Sequence, residues 1–370
     1  MKVLLISTIN SIYRQDIWKG ISDITTNFCL ICTSKNKFNI KTFDGKTVFD
    51  KHRYFELYNF YFRNIIIFQY IPNFFKHFRS NDIIILPGEI SLISTWWVLL
   101  FSKICRKKTI IWTHGLYGRE SRFRIYISII FYKLSNQVWV YNNYSKIHLS
   151  KWIDINKIKV VYNSNSIFEE SDSFSEIRFK LVDEWINKNN NSKILLFFGR
   201  VNSKRNLELL FKAKDVLSMK HSIRLLIVGD VSEVYKDRLN SKINGDDIFY
   251  SKGIYSNKYL ESLFRKSFIL IYPEGVGLAG LHAMKFGLPV ISHNDMRFQK
   301  PEFEAILELD EKLCFERNNL NSLCNTINYV LSMNVGEFNK LQIRSKNIIS
   351  QKWNVHNQLK IIQENFKHLK

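Results

Sequence analysis

Ile271-Tyr272-Pro273-Glu274-Gly275-Val276-Gly277-Leu278-Ala279-Gly280-Leu281-His282-Ala283-Met284, continued by Lys285-Phe286-Gly287-Leu288-Pro289-Val290-Ile291-Ser292, decides the fold. The apolar run from Phe268 to Tyr272 reads as a buried strand. Pro273 and a glycine-rich turn break it, and a helix of small residues runs to about Phe286 before a second strand at Pro289 to Ser292. Strand, turn, helix and strand in that order form a βαβ unit whose ligand site lies at the first turn. Gly275 and Gly277 let a ligand approach the backbone without Cβ clashes. The N–H groups of Val276, Gly277 and Leu278 at the helix start favour a phosphate.

The pattern Glu274-Gly275-x-Gly277-Leu278, leading to Ala283-Met284 and then Gly287-x-Pro289-Val290, resembles the donor-site signature of the retaining family 4 (group 1) glycosyltransferases of the GT-B fold. That resemblance implies an α/β protein of two Rossmann-like, doubly wound domains facing across a cleft. Residues 1–170 would form an acceptor-binding domain and residues 171–350 a nucleotide-sugar-binding domain, with residues 351–370 a helix crossing back to the first. Glu274 stands at the first glutamate of the family's Glu-x7-Glu pair, which contacts the donor sugar. At the second, which usually holds the nucleotide ribose, this chain has His282. A neutral imidazole still hydrogen-bonds a hydroxyl, without a carboxylate's two-oxygen grip. Glu302 or Glu304, in the loop after the second strand, is an alternative source of the missing carboxylate.

Working back toward the amino terminus, Lys193 to Phe198 reads as a buried strand ending in Gly199-Arg200, and an amphipathic helix follows at about Asn206 to Met219. In the resembling family a Gly-Arg followed five residues later by lysine neutralises the donor diphosphate. Arg200 matches the first cation; Arg205 occupies the lysine position, with Lys204 before it. Guanidinium groups bind phosphate in a bidentate way that suits a departing diphosphate. Gly253-Ile254, after a strand at Ile248 to Tyr250, stands where the family's backbone meets the nucleotide base, and Tyr255 could stack there. Asp246-Asp247 reads as a turn, and the resemblance calls for no metal and no cofactor beyond the nucleotide diphosphate sugar itself.

Residues 1 to about 165 alternate apolar runs with amphipathic segments, as a doubly wound sheet requires. Strands are expected at Lys2 to Ser7, Phe28 to Thr33, Asn64 to Phe68, Asp82 to Leu86, Thr109 to Thr113, Gln137 to Tyr141 and Lys159 to Tyr162. His114, in a loop after one of them, matches the family's histidine that faces the donor sugar from the amino-terminal domain. The loop after the first strand reads Thr8-Ile9-Asn10-Ser11 where the family often has Gly-Gly. The polar stretch from Ser164 to Ser192, with Glu169-Glu170-Ser171-Asp172, reads as the connection between domains.

Composition sets outer limits. At 370 residues and 46% hydrophobic the chain is long enough for two α/β domains and too apolar to be mainly disordered. Of its formal charge of +21, residues 1–180 carry +13. Such an excess attracts nucleic acid or an anionic membrane surface, or it reflects an AT-rich genome that favours lysine. No basic recognition helix or aromatic sheet module supports nucleic acid. Between Tyr54 and Arg79 aromatic and basic residues interleave, which suits a bilayer interface; the alternative is that the rings fill the core. Cys29-x-x-Cys32 lies in an apolar segment without a second pair at zinc spacing, so buried thiols are expected. Ile90 to Ile104 is too short and polar to span a membrane, and the first residues read as a strand without a signal-peptide cleavage site. With the resemblance, these features imply a cytoplasmic transferase peripheral on the inner membrane face. It would use a nucleotide-sugar donor and a saccharide acceptor on a polyprenyl diphosphate carrier, in bacterial O-antigen or capsule synthesis.

Overall fold

Strands buried on both faces need continuous apolar runs, and such runs supply both sheets of this protein. The computed structural model describes residues 1–37, 40–164, 173–189 and 191–369. They fall into two units, Met1–Ser166 with Val355–Lys370, and Ile167–Asn354. The acidic stretch Glu169-Glu170-Ser171-Asp172, and with it the expected boundary at residue 170, lies outside the described residues.

The first unit holds β1 (Lys2–Ile6), β2 (Asn27–Cys32), β3 (Tyr54–Glu56), β4 (Tyr58–Phe62), β5 (Ile65–Tyr70), β6 (Ile83–Pro87), β7 (Lys108–Trp112), β8 (Gln137–Val140) and β9 (Ile158–Val160). Seven of them form a parallel sheet in the order β3-β2-β1-β6-β7-β8-β9. Strand order reverses between β1 and β6, so loops diverge there and leave a crevice at the carboxyl ends. Alternate residues feed two cores: Val3, Leu5, Ile85 and Trp139 on one face, Leu4, Ile6, Ile84 and Phe131 on the other.

The helix Val355–Lys367 belongs to this first core. Ile362 and Phe366 are buried in it, and the Phe366 ring lies 5.5 Å from that of Trp139. Gly20 makes the close approach possible, since a Cβ there would fall 2.2 Å from Leu359 Cδ1. Gln358 adds polar anchorage, accepting from Ser164 Oγ at 2.6 Å and donating to the Tyr162 carbonyl at 2.9 Å.

Two expectations need correction or settling. Asn64 to Phe68 does not enter the parallel sheet; β5 pairs antiparallel with β4 in a separate hairpin, and the short β3 takes the sheet edge. The apolar run Ile65-Ile66-Ile67-Phe68 looks like a buried strand, but β4 alternates with period two, and a register shift at Phe60/Tyr61 puts Ile65 and Phe68 of β5 opposite its exposed residues. Tyr58, Phe60, Phe62, Ile65, Phe68 and Tyr70 are 40–61% exposed, so they do not fill the core. Cys29 and Cys32 are both buried free thiols, and they point into the cores on opposite faces of the sheet. Strand alternation separates residues three apart in this way, so the pair cannot share a metal or a disulfide.

The second unit holds β10 (Lys193–Phe198), β11 (Ile223–Val228), β12 (Ile248–Ser251), β13 (Ile269–Tyr272), β14 (Val290–His293) and β15 (Cys314–Phe315). All pair in parallel, in the order β12-β11-β10-β13-β14-β15. Its switch point lies between β10 and β13, which places the loop after Gly199 beside the glycine-rich turn after Tyr272. Among the described residues no helix is long and apolar enough to cross a membrane.

Ile362→Ala opens a cavity in the first core and is expected to cost about 2–5 kcal/mol. A lower urea midpoint, followed by tryptophan fluorescence, is the readout; an unchanged midpoint would mean that this helix is not part of the core.

Candidate functional site

The site in the second unit starts from the helix Leu278–Lys285 and the turn before it. A Cβ on Gly275 would fall 2.5 Å from the Phe298 carbonyl, so only glycine lets the loop after β14 lie on the turn. Gln299, buried in that loop, donates through Nε2 to Ser292 Oγ at 2.8 Å and the His293 carbonyl at 2.6 Å. Its Oε1 accepts from Val276 N–H at 3.0 Å. The Val276 amide expected to face phosphate is therefore already engaged. Gly277 and Leu278 N–H make no hydrogen bond among the described residues and remain available at the helix start.

Arg205 meets the same turn, donating from Nη1 to the Gly275 carbonyl at 3.4 Å. Lys204 and Arg200 are exposed and have no ion-pair partner among the described residues. Unneutralised cations beside free amides form an electropositive mouth.

Glu274 is held tightly. Both its carboxylate oxygens lie 3.1 Å from Arg317 Nη2, and the Arg317 guanidinium carbon stacks 3.7 Å from the centroid of Phe298. Beneath them His293, fully buried at the end of β14, brings Nε2 to 3.8 Å from Glu274 Oε2. Burial, reinforced by the Arg317 charge, lowers the His293 pKa to about 4, so at neutral pH this contact is not an ion pair. Neither ring nitrogen has a hydrogen-bond partner among the described residues. Arg317 and Gln299 were not singled out in the sequence. Arg317 lies 43 positions after Glu274 in an ordinary polar turn, and only the order β13-β14-β15 brings them together.

The other expected residues occupy the following positions. His282 lies on the helix Leu278–Lys285 with its ring 5.5 Å from those of Phe264 and Phe286. Burial, with Lys285 adding to it, lowers its pKa to about 4, so the imidazole is neutral. Glu302 is buried just before the helix Phe303–Leu309, and Glu304 stands in its first turn. Gly253 has both backbone groups engaged: its carbonyl accepts from Arg178 Nη1 at 2.6 Å and its N–H donates to Asp230 Oδ1 at 3.2 Å. Ile254 makes no backbone hydrogen bond among the described residues. Tyr255 donates its hydroxyl to Asp230 and its N–H to Ser175 Oγ, which ties it to the protein.

His114 stands in the first unit, exposed past β7, its ring 4.9 Å from Tyr141 and its carbonyl accepting from Ser145 Oγ at 2.8 Å. It lines a cavity of ≈ 700 Å³ with Arg14, Glu89, Trp112 and Tyr141. Arg14 donates to the Tyr141 hydroxyl and lies 5.1 Å from the Trp112 ring centroid. Among the described residues no group of three His, Cys, Asp or Glu side chains is arranged to hold a metal ion.

The chain as a whole is similar to known structures. Anabaena HepE in complex with UDP aligns over 100% of both chains with a TM-score of 0.71 and 16% identity. The apo lipopolysaccharide outer core galactosyltransferase WaaB aligns over 100% of both with a TM-score of 0.65 and 16% identity. The chain has the GT-B fold. More particularly, residues 180–349 match the family described as Glycosyl transferases group 1, a span that contains Arg200, Arg205, Glu274 and Arg317. An uncharacterized 41.2 kDa protein in the cps region of Klebsiella pneumoniae is 30% identical over 181 residues, 47% of each chain. The chain spans about half or less of the length of the curated relatives it matches.

His282 and His293 give the protein a defined acid sensitivity. Each is held near a pKa of about 4, against an ordinary 6.5. Below about 6.5 the unfolded chain therefore binds protons that the folded chain refuses, and stability falls as pH drops toward 4. Urea midpoints measured across that window should fall with pH, less steeply in His293→Gln; equal slopes in both proteins would contradict the assignment.

Proposed function

We propose that the protein is a glycosyltransferase that moves a sugar from a nucleotide diphosphate sugar to a saccharide acceptor with retention at the anomeric carbon. The observation that carries this reading is the convergence, within the span matching Glycosyl transferases group 1, of Glu274, Arg205 and the open helix start at Gly277 on one switch point. As the glycosidic bond breaks, negative charge grows on the departing diphosphate and positive charge on the sugar. Arg200, Lys204 and Arg205, with the Gly277 and Leu278 N–H groups, stabilise the first by electrostatics fixed before reaction. Glu274 orients the sugar hydroxyls, and Arg317, which donates to both its carboxylate oxygens, holds that carboxylate in place. This reading assigns His114 a contact with the sugar, and Arg200 and Glu274 most of the catalytic effect. Same-face displacement demands no separate protein base, and this reading assigns no metal and no cofactor beyond the donor.

His282, neutral and mostly buried, hydrogen-bonds the ribose, and Ile254 offers its backbone to the base. UDP is the favoured nucleotide, because HepE was solved with it. The setting is bacterial surface polysaccharide, O-antigen or capsule, consistent with the cps-region relative and with WaaB. We place the protein in the cytoplasm, peripheral on the inner membrane face, with its acceptor on a polyprenyl diphosphate carrier.

A thermal-shift screen across UDP, GDP, CMP and dTDP should give stabilisation by at least one nucleotide, and stabilisation by none would overturn the reading. Sugar release from the matching donor should fall by about 10²–10³-fold in Arg200→Ala, the usual loss when one preorganised charge-stabilising group is removed. Glu274→Ala should also lose most turnover. His282→Ala should weaken nucleotide affinity more than it slows turnover at saturation; the reverse pattern would assign His282 to the chemistry.

A further inference from the structure

The β4–β5 hairpin is inverted. Opposed pairs Tyr58 and Tyr70, Phe60 and Phe68, and Phe62 and Ile65 put six large apolar side chains on its outer face. Its inner face carries the polar pair Asn59 and Gln69 beside Tyr61 and Ile66: Asn59 Nδ2 donates to the Thr8 carbonyl at 2.7 Å, and Gln69 Nε2 donates to Asn59 Oδ1 at 3.0 Å. A hairpin facing water normally shows the opposite alternation. The adjoining helix Ile93–Ile104 continues the anomaly, exposing Ile93, Trp97, Leu100 and Ile104 at a spacing of four, three and four, one stripe along the helix. Hairpin and helix meet where Gln69 N–H donates to Ser94 Oγ at 3.1 Å. Between them lies an apolar groove of ≈ 830 Å³, lined by Tyr70, Ile71, Phe74, Phe75, Trp97 and Phe101.

Charge says what covers this surface. From Leu57 to Asn81, and again from Ile90 to Arg119, the sequence has no Asp or Glu. Over the same stretches Arg63, Lys76, Arg79, Lys103, Arg106, Lys107 and Lys108 supply cations. Four of them, with Lys133 and Lys157, line a second cavity of ≈ 300 Å³. A chain of packed side chains links that cavity to the groove: Phe75 to Phe101 at 5.6 Å, Phe101 to Phe78 at 4.8 Å, and Lys107 Nζ 5.8 Å from the Phe78 ring.

We propose that the outer hairpin face and the Ile93–Ile104 stripe penetrate the hydrocarbon of an anionic leaflet. One lipid chain lies in the groove, and lipid phosphates sit on the flanking cations. This deepens the proposed function, since it rests on the reading that the acceptor is carried on a lipid. Penetration differs from adsorption by charge in its response to salt: at about 1 M the Debye length is roughly 3 Å, which leaves only apolar burial to hold the protein.

The test is flotation of the full chain with phosphatidylglycerol-containing vesicles and with pure phosphatidylcholine vesicles, at low salt and at about 1 M salt. Binding should prefer the anionic vesicles, and a substantial part should survive high salt. Phe60→Ser with Phe62→Ser, and separately Trp97→Ser, should weaken the salt-resistant part by about tenfold or more. Nucleotide-induced stabilisation should be unchanged in both. No vesicle binding, complete release by salt, or wild-type binding by both variants would each overturn the inference. So would a wild-type dimer in sedimentation that Phe60→Ser with Phe62→Ser makes monomeric, since a second copy would then cover the face. Vesicle binding without stabilisation by any nucleotide would leave this inference standing and remove the proposed function instead.

Discussion

The site depends on one topological constraint, the adjacency of β10 and β13. Parallel strands joined by right-handed crossovers send their helices to opposite faces at a switch point, and the loops after the two central strands part to leave a crevice. In the second unit those loops begin at Gly199-Arg200 and Pro273-Glu274-Gly275. Residues about 70 positions apart in sequence therefore share one mouth, and the Arg205 contact with the Gly275 carbonyl is its direct consequence.

The next layer outward explains how that mouth keeps its shape. The loop after β14 lies against Gly275 and fixes the turn through Gln299, a buried side chain whose oxygen and nitrogen are both engaged. A turn clamped in this way presents its remaining amides in a fixed direction, and fixed dipoles stabilise developing charge without reorganisation at the moment of reaction. The Glu274 carboxylate is similarly constrained between Arg317 and the neutral His293.

Much of this was legible in the sequence, for physical reasons. Buried parallel strands must be apolar along their whole length, so Lys193 to Phe198 and Phe268 to Tyr272 could be read as strands, and the Gly-rich turn between strand and helix marked the site. Arg317 was not legible, because nothing local distinguishes it; its role comes from a strand order that brings β15 two places from β13. The engagement of the Val276 amide was illegible for the same kind of reason, since Gln299 reaches it from another loop. The hairpin was hidden in a different way. Ile65-Ile66-Ile67-Phe68 has the composition of a core strand, and only pairing with β4 reveals that the apolar face points outward.

The central claim is that this switch point breaks the bond between a sugar and a nucleotide diphosphate with retention. Proton NMR of the full chain incubated with a UDP-sugar tests it most directly, since the anomeric proton reports both release and configuration. The account predicts appearance of UDP together with sugar first formed in the donor's own anomeric configuration. Release of the opposite anomer, or no release from any nucleotide sugar that binds, would contradict it.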